Sequence, residues 1–592
     1  MSVILCFLLP PVFLMYVREK ILGDKIECKF HGELKDFLRE YLLTVCFLNF
    51  TTLSVTYKLF HHAGALDASF LEYTGFTFRY LLLSFTIAIA EPVLENLLRY
   101  HIKIELHKVK IHVNANLLLY VYSFALVVMN LIRIFDNAFW GDEGYSIQMA
   151  QRSVSDMIST TAGDVHPPLY YLLAQLLYHT LGNHGFTYHL SALLPYIVIV
   201  IIGCSVVKRY FGIIPATVLV TMSSLMKNAI IYNVEARMYA LGAMFVLIAY
   251  IAFYKIIEKN HPGSWIVFCI SSLGAAYTHY YALISVAFFF VMLMPLAISQ
   301  KKYWKGLVIS YLTAIIGYLP WLMILVKSFG RTASSWWLTS IPKISDCYLF
   351  LLDYKWLAAV FLVCFLFFAI YQLNLLSIHV SKTGKLKDRI DIGLLLPEAV
   401  TLNETLYWGV SGVVAICGTV AVGLVLSYMV RPIFVLRYLF PVSAMLYLIF
   451  GVCISKMKLS KLWSVLLIVI ILWNNVPTYI QTYNSDHNLG QETAKFLDAV
   501  KPERDVELIT NNDQLGWTLL GYYYPENVSK CDENALTNLD KDDKDIWLIW
   551  NEELNEIAEA NIRRQHYTSD KVYEGFFANG LYYHVYQLYR NR

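Results

Sequence analysis

Residues 114–145 read NANLLLYVYSFALVVMNLIRIFDNAFWGDEGY. The first two thirds form an apolar run long enough to cross a bilayer core of about 30 Å as a helix. The run ends at Asp136, and Trp140-Gly141-Asp142-Glu143-Gly144-Tyr145 follows at once. Two adjacent carboxylates where a membrane helix meets water are costly to place without a purpose. An ionisable group at a membrane edge therefore reads first as a functional site. A second polar motif, His166-Pro167-Pro168-Leu169-Tyr170-Tyr171, comes shortly after.

The whole chain repeats the pattern of that first run. Its 592 residues are 57% hydrophobic and 15% charged, with a mean hydropathy of +0.51. A soluble protein would carry about 25% charged residues, so the sequence predicts an all-α, polytopic membrane protein. Apolar runs at 1–17, 38–60, 77–98, 114–135, 186–207, 212–230, 237–256, 264–277, 280–298, 304–326, 354–376, 405–429, 433–454 and 461–480 give about fourteen candidate spans. The first 17 residues lack a basic n-region and a small-residue cleavage site, and read as a first span. A net charge of +3 with no basic, aromatic-interleaved stripe argues against a nucleic-acid partner. The ten cysteines are scattered, without Cys-x-x-Cys or Cys/His spacing, and read as buried small hydrophobes.

Lys and Arg in short loops set orientation. The basic connectors are 18–29, 101–110, Lys208-Arg209, 255–259, 301–305, 382–389 and 456–461. All can face the cytoplasm if residues 168–181 form a juxtamembrane or re-entrant helix instead of a span. The opposite, extracytoplasmic rim then gathers Asp142-Glu143, the His-Pro-Pro motif with Tyr170, and Glu235-Ala236-Arg237-Met238-Tyr239. It also gathers Thr278-His279-Tyr280-Tyr281, the loop 328–341, and Arg431 with Arg437-Tyr438. After residue 480 the composition turns polar. A helix at 491–500 and strands at 506–510 and 546–550 predict a small extracytoplasmic α/β domain over 481–592, bearing an Asn527-Val528-Ser529 sequon. No internal repeat is visible.

The rim residues have chemistry suited to group transfer. Asp142 and Glu143 leave a turning backbone in different directions, so one can act as a general base and the other can orient a partner or a cation. A solvated acid pair is the competing reading. Two prolines fix the chain after His166 and start a helix whose free amides favour an anion. His166 can bond a phosphate or a metal there, or be incidental to the helix start. Arg237 and Arg437 stand near the outer ends of spans and need an anionic partner. Glu235 or the loop acids could supply it structurally, and a lipid-linked phosphate could supply it functionally. Trp336-Trp337 suits stacking on a sugar or anchoring at the interface.

The ordered set FWGDEGYSI (139–147), HPPLYYLLAQLLYHTLG (166–182), KRYFG (208–212), IIYNVEARMYALGAMF (230–245), YTHYYALI (277–284), GYLPWLMIL (317–325) and FVLRYLFP (434–441) resembles the GT-C glycosyltransferases that use polyprenyl-phosphate sugars. It is most similar to the bacterial branch grouped with protein O-mannosyltransferases and the aminoarabinose transferase of lipid A. The resemblance covers residues 115–480 and implies an inverting enzyme of the cell membrane with an extracytoplasmic site. Its donor would be a sugar on undecaprenyl or dolichyl phosphate, and its acceptor a protein, lipid or glycan. By that resemblance Asp142, in a first outer loop of 136–167, is the candidate base. Glu143 is its supporting neighbour. His166, Arg237, His279 and Arg437, with Tyr170 and Tyr239 beside them, fall where the family places donor-contacting groups. No cofactor is implied with certainty; a divalent metal is possible, although no ligand cluster stands out.

The chain departs from the family pattern in two places. Residues 1–113 add candidate spans ahead of the 114–480 core, with Glu91 and Glu95 inside one of them. His166 stands where some relatives carry lysine. Two rival readings differ in class. A transporter or lipid flippase would show pseudo-repeats and polar groups at the bilayer midplane. A non-catalytic scaffold would not need Asp142, His166 and Arg237 together.

Overall fold

Helix α1 (Ala115–Leu131) starts where Asn114 accepts the amides of Asn116 and Leu117 at 3.0 and 3.4 Å, which satisfies two of the donors a helix start leaves open. The computed structural model describes residues 114–590, except 137, 165, 335–337, 374–375, 381–389, 395–402, 458–459, 503–505, 513–514, 526, 532–535, 538 and 540–544. The candidate spans at 1–17, 38–60 and 77–98, Glu91 and Glu95, and Trp336-Trp337 lie outside the described residues.

Three short helices follow α1: α2 (Gly141–Gln151), α3 (Val154–Gly163) and α4 (Leu169–Leu181). Helix α4 has 13 residues, about 20 Å of rise, and is too short to cross a bilayer. It stops at Gly182, whose φ of 84° suits a residue without Cβ. The bundle continues with α5 (Gly185–Ile202, prolonged to Phe211), α6 (Ile213–Leu225), α7 (Tyr239–Lys259), α8 (Pro262–Thr278), α9 (Tyr280–Ser299) and α10 (Trp304–Ser334). Then come α11 (Ile344–Leu352), α12 (Lys355–Leu373), α13 (Glu404–Met429), a 3₁₀ segment Leu436–Val442 leading into α14 (Ser443–Ser455), and α15 (Ser460–Ala499).

Among the described residues, eight helical segments are long and apolar enough to cross a membrane, or nine if α11 and α12, bent by 87°, count as one. Two of the expected runs are shorter than these segments. The run at 212–230 breaks at Met226, whose ψ of 146° is extended, leaving α6 with 13 residues. The run at 264–277 becomes α8, only 17 residues long. Helix α8 nonetheless leads from Pro262, just past the end of α7, back to His279, whose ring lies 5.8 Å from that of Tyr239 at the start of α7, so it runs alongside the full length of that span. Outward-facing Phe124, Ile270, Ile298 and Ile316 are exposed by 64–73%, as lipid contact requires. The inside is closely packed. Tyr250 and Trp408 stack at 4.4 Å, and each donates to the other's backbone carbonyl at 3.0 and 3.1 Å. Their polar atoms are thus satisfied in the dry interior.

The expected domain border at 480 falls inside α15, which runs unbroken for 40 residues, about 60 Å. Hydropathy marks where that helix leaves the hydrocarbon, whereas its backbone hydrogen bonds continue to Ala499. Beyond it lies a five-stranded mixed sheet of order β4-β3-β5-β7-β6, after a two-stranded hairpin of β1 (Leu376–Val380) and β2 (Ile390–Leu394) earlier in the chain. In the sheet, β3 (Glu507–Thr510) runs parallel to β4 (Val528–Cys531) and β5 (Ile546–Trp550). The pairs of β7 (Leu581–Arg590) with β5 and with β6 (Tyr567–Phe577) are antiparallel.

The C-terminal domain is packed onto the helical part. Phe139, Ile147, Ala150, Tyr188 and Ala236 share one buried cluster with Phe496, Leu508, Leu515, Phe577 and Val585. Tyr522 meets Phe139 and Tyr188 edge-on at 5.4 and 5.9 Å. Arg133, at the end of α1, bonds Asp486 on α15 at 2.7 Å. The sheet therefore braces α2, the helix whose first turn carries Asp142 and Glu143.

Candidate active site

Five chain segments end at the same face of the bundle: the start of α2, the residues before α4, the residues before α7, the break between α8 and α9, and the 3₁₀ segment before α14. Asp142 lies in the first turn of α2, where the helix N-terminus favours negative charge. Its carboxylate is about one third exposed; it is 2.9 Å from an Arg437 nitrogen and 3.9 Å from one of Arg237. Arg237 is buried and also donates to the Asp142 carbonyl at 2.9 Å and the Ser146 hydroxyl at 3.3 Å. Arg437 lies over the Trp140 ring, 5.3 Å from its centre. The acid that pairs with both arginines is thus Asp142. Glu235 meets Arg237 through its backbone carbonyl, which accepts the Arg237 amide at 2.6 Å.

Glu143 has a different position. It is buried, and its two oxygens accept the amides of Ala236 at 2.7 Å and Trp140 at 3.3 Å. His189 Nδ1 lies 3.6 Å from the same carboxylate and 2.8 Å from the Val234 carbonyl. One oxygen closes the start of α2, and the other fixes the backbone next to Arg237. Burial, opposed by these amides, pushes the Glu143 carboxyl up to about 7. Burial and the neighbouring Glu143 push Glu235 up to about 8.

His279, between α8 and α9, accepts the Tyr281 amide on Nδ1 at 3.2 Å, which leaves its proton on Nε2. Burial, then the charges of His166, Arg237 and Arg437, hold it neutral. Its ring is surrounded by Tyr438 at 4.9 Å, Tyr239 at 5.8 Å and His166 at 6.1 Å. His166 is anchored by Asp164 at 3.2 Å, and Asp164 also bonds the Tyr145 hydroxyl. Tyr170 is fully buried, with its hydroxyl 2.6 Å from that of Ser191, so it supports the wall beneath the cluster. Four buried polar atoms in the cluster bond nothing: Arg237 Nε, Arg437 Nε, the Tyr239 hydroxyl and Glu235 Oε1. Three of them are hydrogen-bond donors. Unsatisfied buried donors of this kind are costly unless a ligand meets them.

The structure brings together Asp142, Glu143, His166, Arg237, Tyr239, His279, Arg437 and Tyr438 of the rim the sequence singled out. It adds Asp164 and Trp140, which the sequence did not single out, and buries Glu235, which the sequence offered only as a structural partner of the arginines. For Glu235, its place in the Glu-Ala-Arg motif was the available signal. A metal does not fit at Asp142. Among the described residues, no three His, Cys, Asp or Glu ligand atoms converge there, and two guanidinium groups hold the carboxylate. Among the described residues, the cluster with ligand spacing is Glu553, Glu574 and His584 on the sheet domain. There the Lys571 ammonium bonds both carboxylates, at 3.1 and 2.9 Å.

The raised Glu235 carboxyl has a measurable consequence. A carboxyl that holds its proton more tightly when folded adds stability that is complete below its unfolded value and lost as pH rises through the folded one. For Glu235 that window runs from 4.5 to about 8. Glu235→Gln, neutral throughout, is expected to flatten the fall of the melting temperature across it. Parallel wild-type and variant curves would refute the assignment.

No protein-family model matches this chain, and no curated protein does either. Among solved structures it is similar to ArnT from Cupriavidus metallidurans. The apo-state crystal structure aligns at 10% identity and a TM-score of 0.46, and the structure bound to undecaprenyl phosphate at 12% and 0.48. Each alignment covers 79% of this chain and 97% of that one.

Proposed function

We propose that this protein is an integral-membrane glycosyltransferase that moves a sugar from a polyprenyl-phosphate donor to a hydroxyl-bearing acceptor, with its site on the extracytoplasmic face. The observation that carries the reading is the placement of Asp142 between Arg437 and Arg237, with guanidinium and tyrosine donors left unpaired around it. The ordered motifs between residues 139 and 441 support the same class. The cluster lies at helix ends and not at mid-span, where a transporter would place its polar groups.

In the proposed reaction the acceptor oxygen bonds to the anomeric carbon as the bond from that carbon to the phosphate oxygen breaks, with inversion. The acceptor proton passes to the Asp142 carboxylate. Negative charge grows on the departing lipid phosphate, where Arg237 and Arg437 supply fixed positive charge. Preorganised groups of this kind are worth about 3–4 kcal/mol each in comparable sites. Tyr239 and neutral His279 border the same space as hydrogen-bond donors. The direct test incubates the full chain, in lipid nanodiscs, with a panel of polyprenyl-phosphate sugars and measures release of polyprenyl phosphate. No release from any donor would reject the reading.

Glu143 is a positioning residue in this scheme, because its oxygens are occupied by backbone amides. Glu143→Ala leaves two buried N–H groups unpaired, at about 1–3 kcal/mol each, and frees the segment carrying Arg237. Its melting temperature and donor turnover should both fall. Glu143→Gln keeps an acceptor for the Ala236 amide and should recover most of both. A Gln variant as inactive as Ala, yet as stable as wild type, would make Glu143 a reacting carboxylate instead.

A further inference from the structure

At the opposite end of the bundle is a cavity of about 630 Å³ that the proposed reaction does not use. Helix α7 connects the two places. Tyr239 at its start lines the active-site cluster, and Lys255 and Lys259 near its end line the cavity, about 30 Å away along the axis. The walls are apolar, formed by Ile202 and Val206 of the α5 extension, Ile248 and Ile251 of α7, and Val267 of α8. Val267 is 45% exposed, and its neighbours Ile201 and Ile270 are more exposed still, so the groove opens onto the lipid-facing surface.

The mouth is polar and mostly cationic. Lys255 and Lys259 lie 4.3 and 5.9 Å from the centre of the Tyr210 ring, with Arg209 on the same ring at 5.9 Å. Glu258 is the acid in the lining; it is 3.8 Å from the Lys259 ammonium. Lys255 has no carboxylate within ion-pair distance among the described residues. An apolar slot open to hydrocarbon, ending in lysines at the depth of a helix terminus, matches the two halves of one ligand class. A basic pocket between spans on this kind of face binds anionic headgroups, and long apolar walls accept an acyl chain.

We infer that this groove binds an anionic phospholipid of the leaflet facing that end, with its phosphate between Lys255 and Lys259 and an acyl chain along Ile202, Ile248 and Val267. The charge of the mouth excludes a zwitterionic lipid as the preferred occupant. The inference does not depend on the sugar-transfer reading, so the two can fail separately.

The test uses the full chain in nanodiscs of phosphatidylcholine with and without phosphatidylglycerol, read by native mass spectrometry and thermal unfolding. Wild type should keep bound phosphatidylglycerol and melt higher in its presence. Lys255→Ala with Lys259→Ala should weaken that binding by about tenfold or more, at about 1 kcal/mol for each basic residue near an anionic surface. Lys255→Arg with Lys259→Arg should retain it. Val267→Trp, which fills the slot and leaves the charges, should displace the lipid as well. Equal retention of the two lipids by wild type would overturn the inference, and that comparison needs no variant. So would wild-type binding in the double Ala or Trp variant, or the same stabilisation by inorganic phosphate alone, which would indicate a free-anion site.

Discussion

Replacing Asp142 by Asn is expected to lower turnover of the lipid-linked donor by about 10²–10⁴-fold, the range a positioned general base contributes. The substitution keeps the shape of the side chain and one oxygen facing Arg437, and it removes the negative charge and with it the ability to take a proton. Because Asp142 and Arg437 both lie partly exposed at the edge of the cluster, the lost charge does not leave the Arg437 cation uncompensated in the interior. Arg237 retains its bonds to the Asp142 carbonyl and to Ser146. The variant should therefore insert and melt close to wild type. The informative quantity is the division between kcat and KM. A base acts on the acceptor proton in the transition state, so kcat should fall while KM for the donor stays level or drops, since a negative charge near the donor phosphate has been removed. A structural role would lower the melting temperature and raise KM with kcat. Turnover within a few-fold of wild type would eliminate Asp142 as the base.

Much of this site was legible in the sequence because its members stand at the ends of separate apolar runs. Asp142, Arg237, His279 and Arg437 each interrupt hydrophobic sequence at a helix terminus. Placing the basic loops on one side forces all of them to the other. What the sequence did not contain is which oxygen meets which donor. Asp142 and Glu143 are neighbours of identical chemistry, yet one faces two guanidinium groups and the other is buried against the Ala236 amide, 93 positions away. That difference comes from how α2 packs on the segment before α7, and no local pattern encodes it.

Glu235 shows the same limit. Its place two residues before Arg237 suggested an ion pair, but the chain turns there and the Arg237 amide bonds the Glu235 carbonyl at 2.6 Å, while the Arg237 guanidinium meets Asp142. In the C-terminal domain, the strands expected at 506–510 and 546–550 stood out in the sequence, and they form at Glu507–Thr510 and Ile546–Trp550. The β6–β7 hairpin was missed although Asn579-Gly580, with φ +78° at the glycine, is a strong turn signal. Its strands are half exposed and rich in tyrosine, so they lack the apolar contrast that marked the other two.

Arg437 gives the second large effect. Arg437→Ala is expected to reduce kcat/KM for the donor by about 10²–10³-fold, as loss of one charge-stabilising donor does in comparable sites. Arg237 offers a poorer test. It is buried, and removing it takes the donor from the Asp142 carbonyl and the Ser146 hydroxyl, so a loss of stability would accompany any loss of activity. Arg437 is 20% exposed and stacked on Trp140, so the fold tolerates its loss and the activity reports on the phosphate. Its Nε is buried without a partner, and its terminal nitrogen already meets Asp142 at 2.9 Å. A planar guanidinium can hold the carboxylate with one edge and a phosphate oxygen with the other. Arg437→Lys should consequently recover only part of the loss, since one ammonium cannot occupy both positions. Adding salt should depress the wild-type rate more than the Ala rate, because a partly exposed charge is screened. If Arg437→Ala leaves the donor KM and kcat unchanged, the lipid phosphate does not leave at this end of the bundle, and Arg437 serves only to hold Asp142.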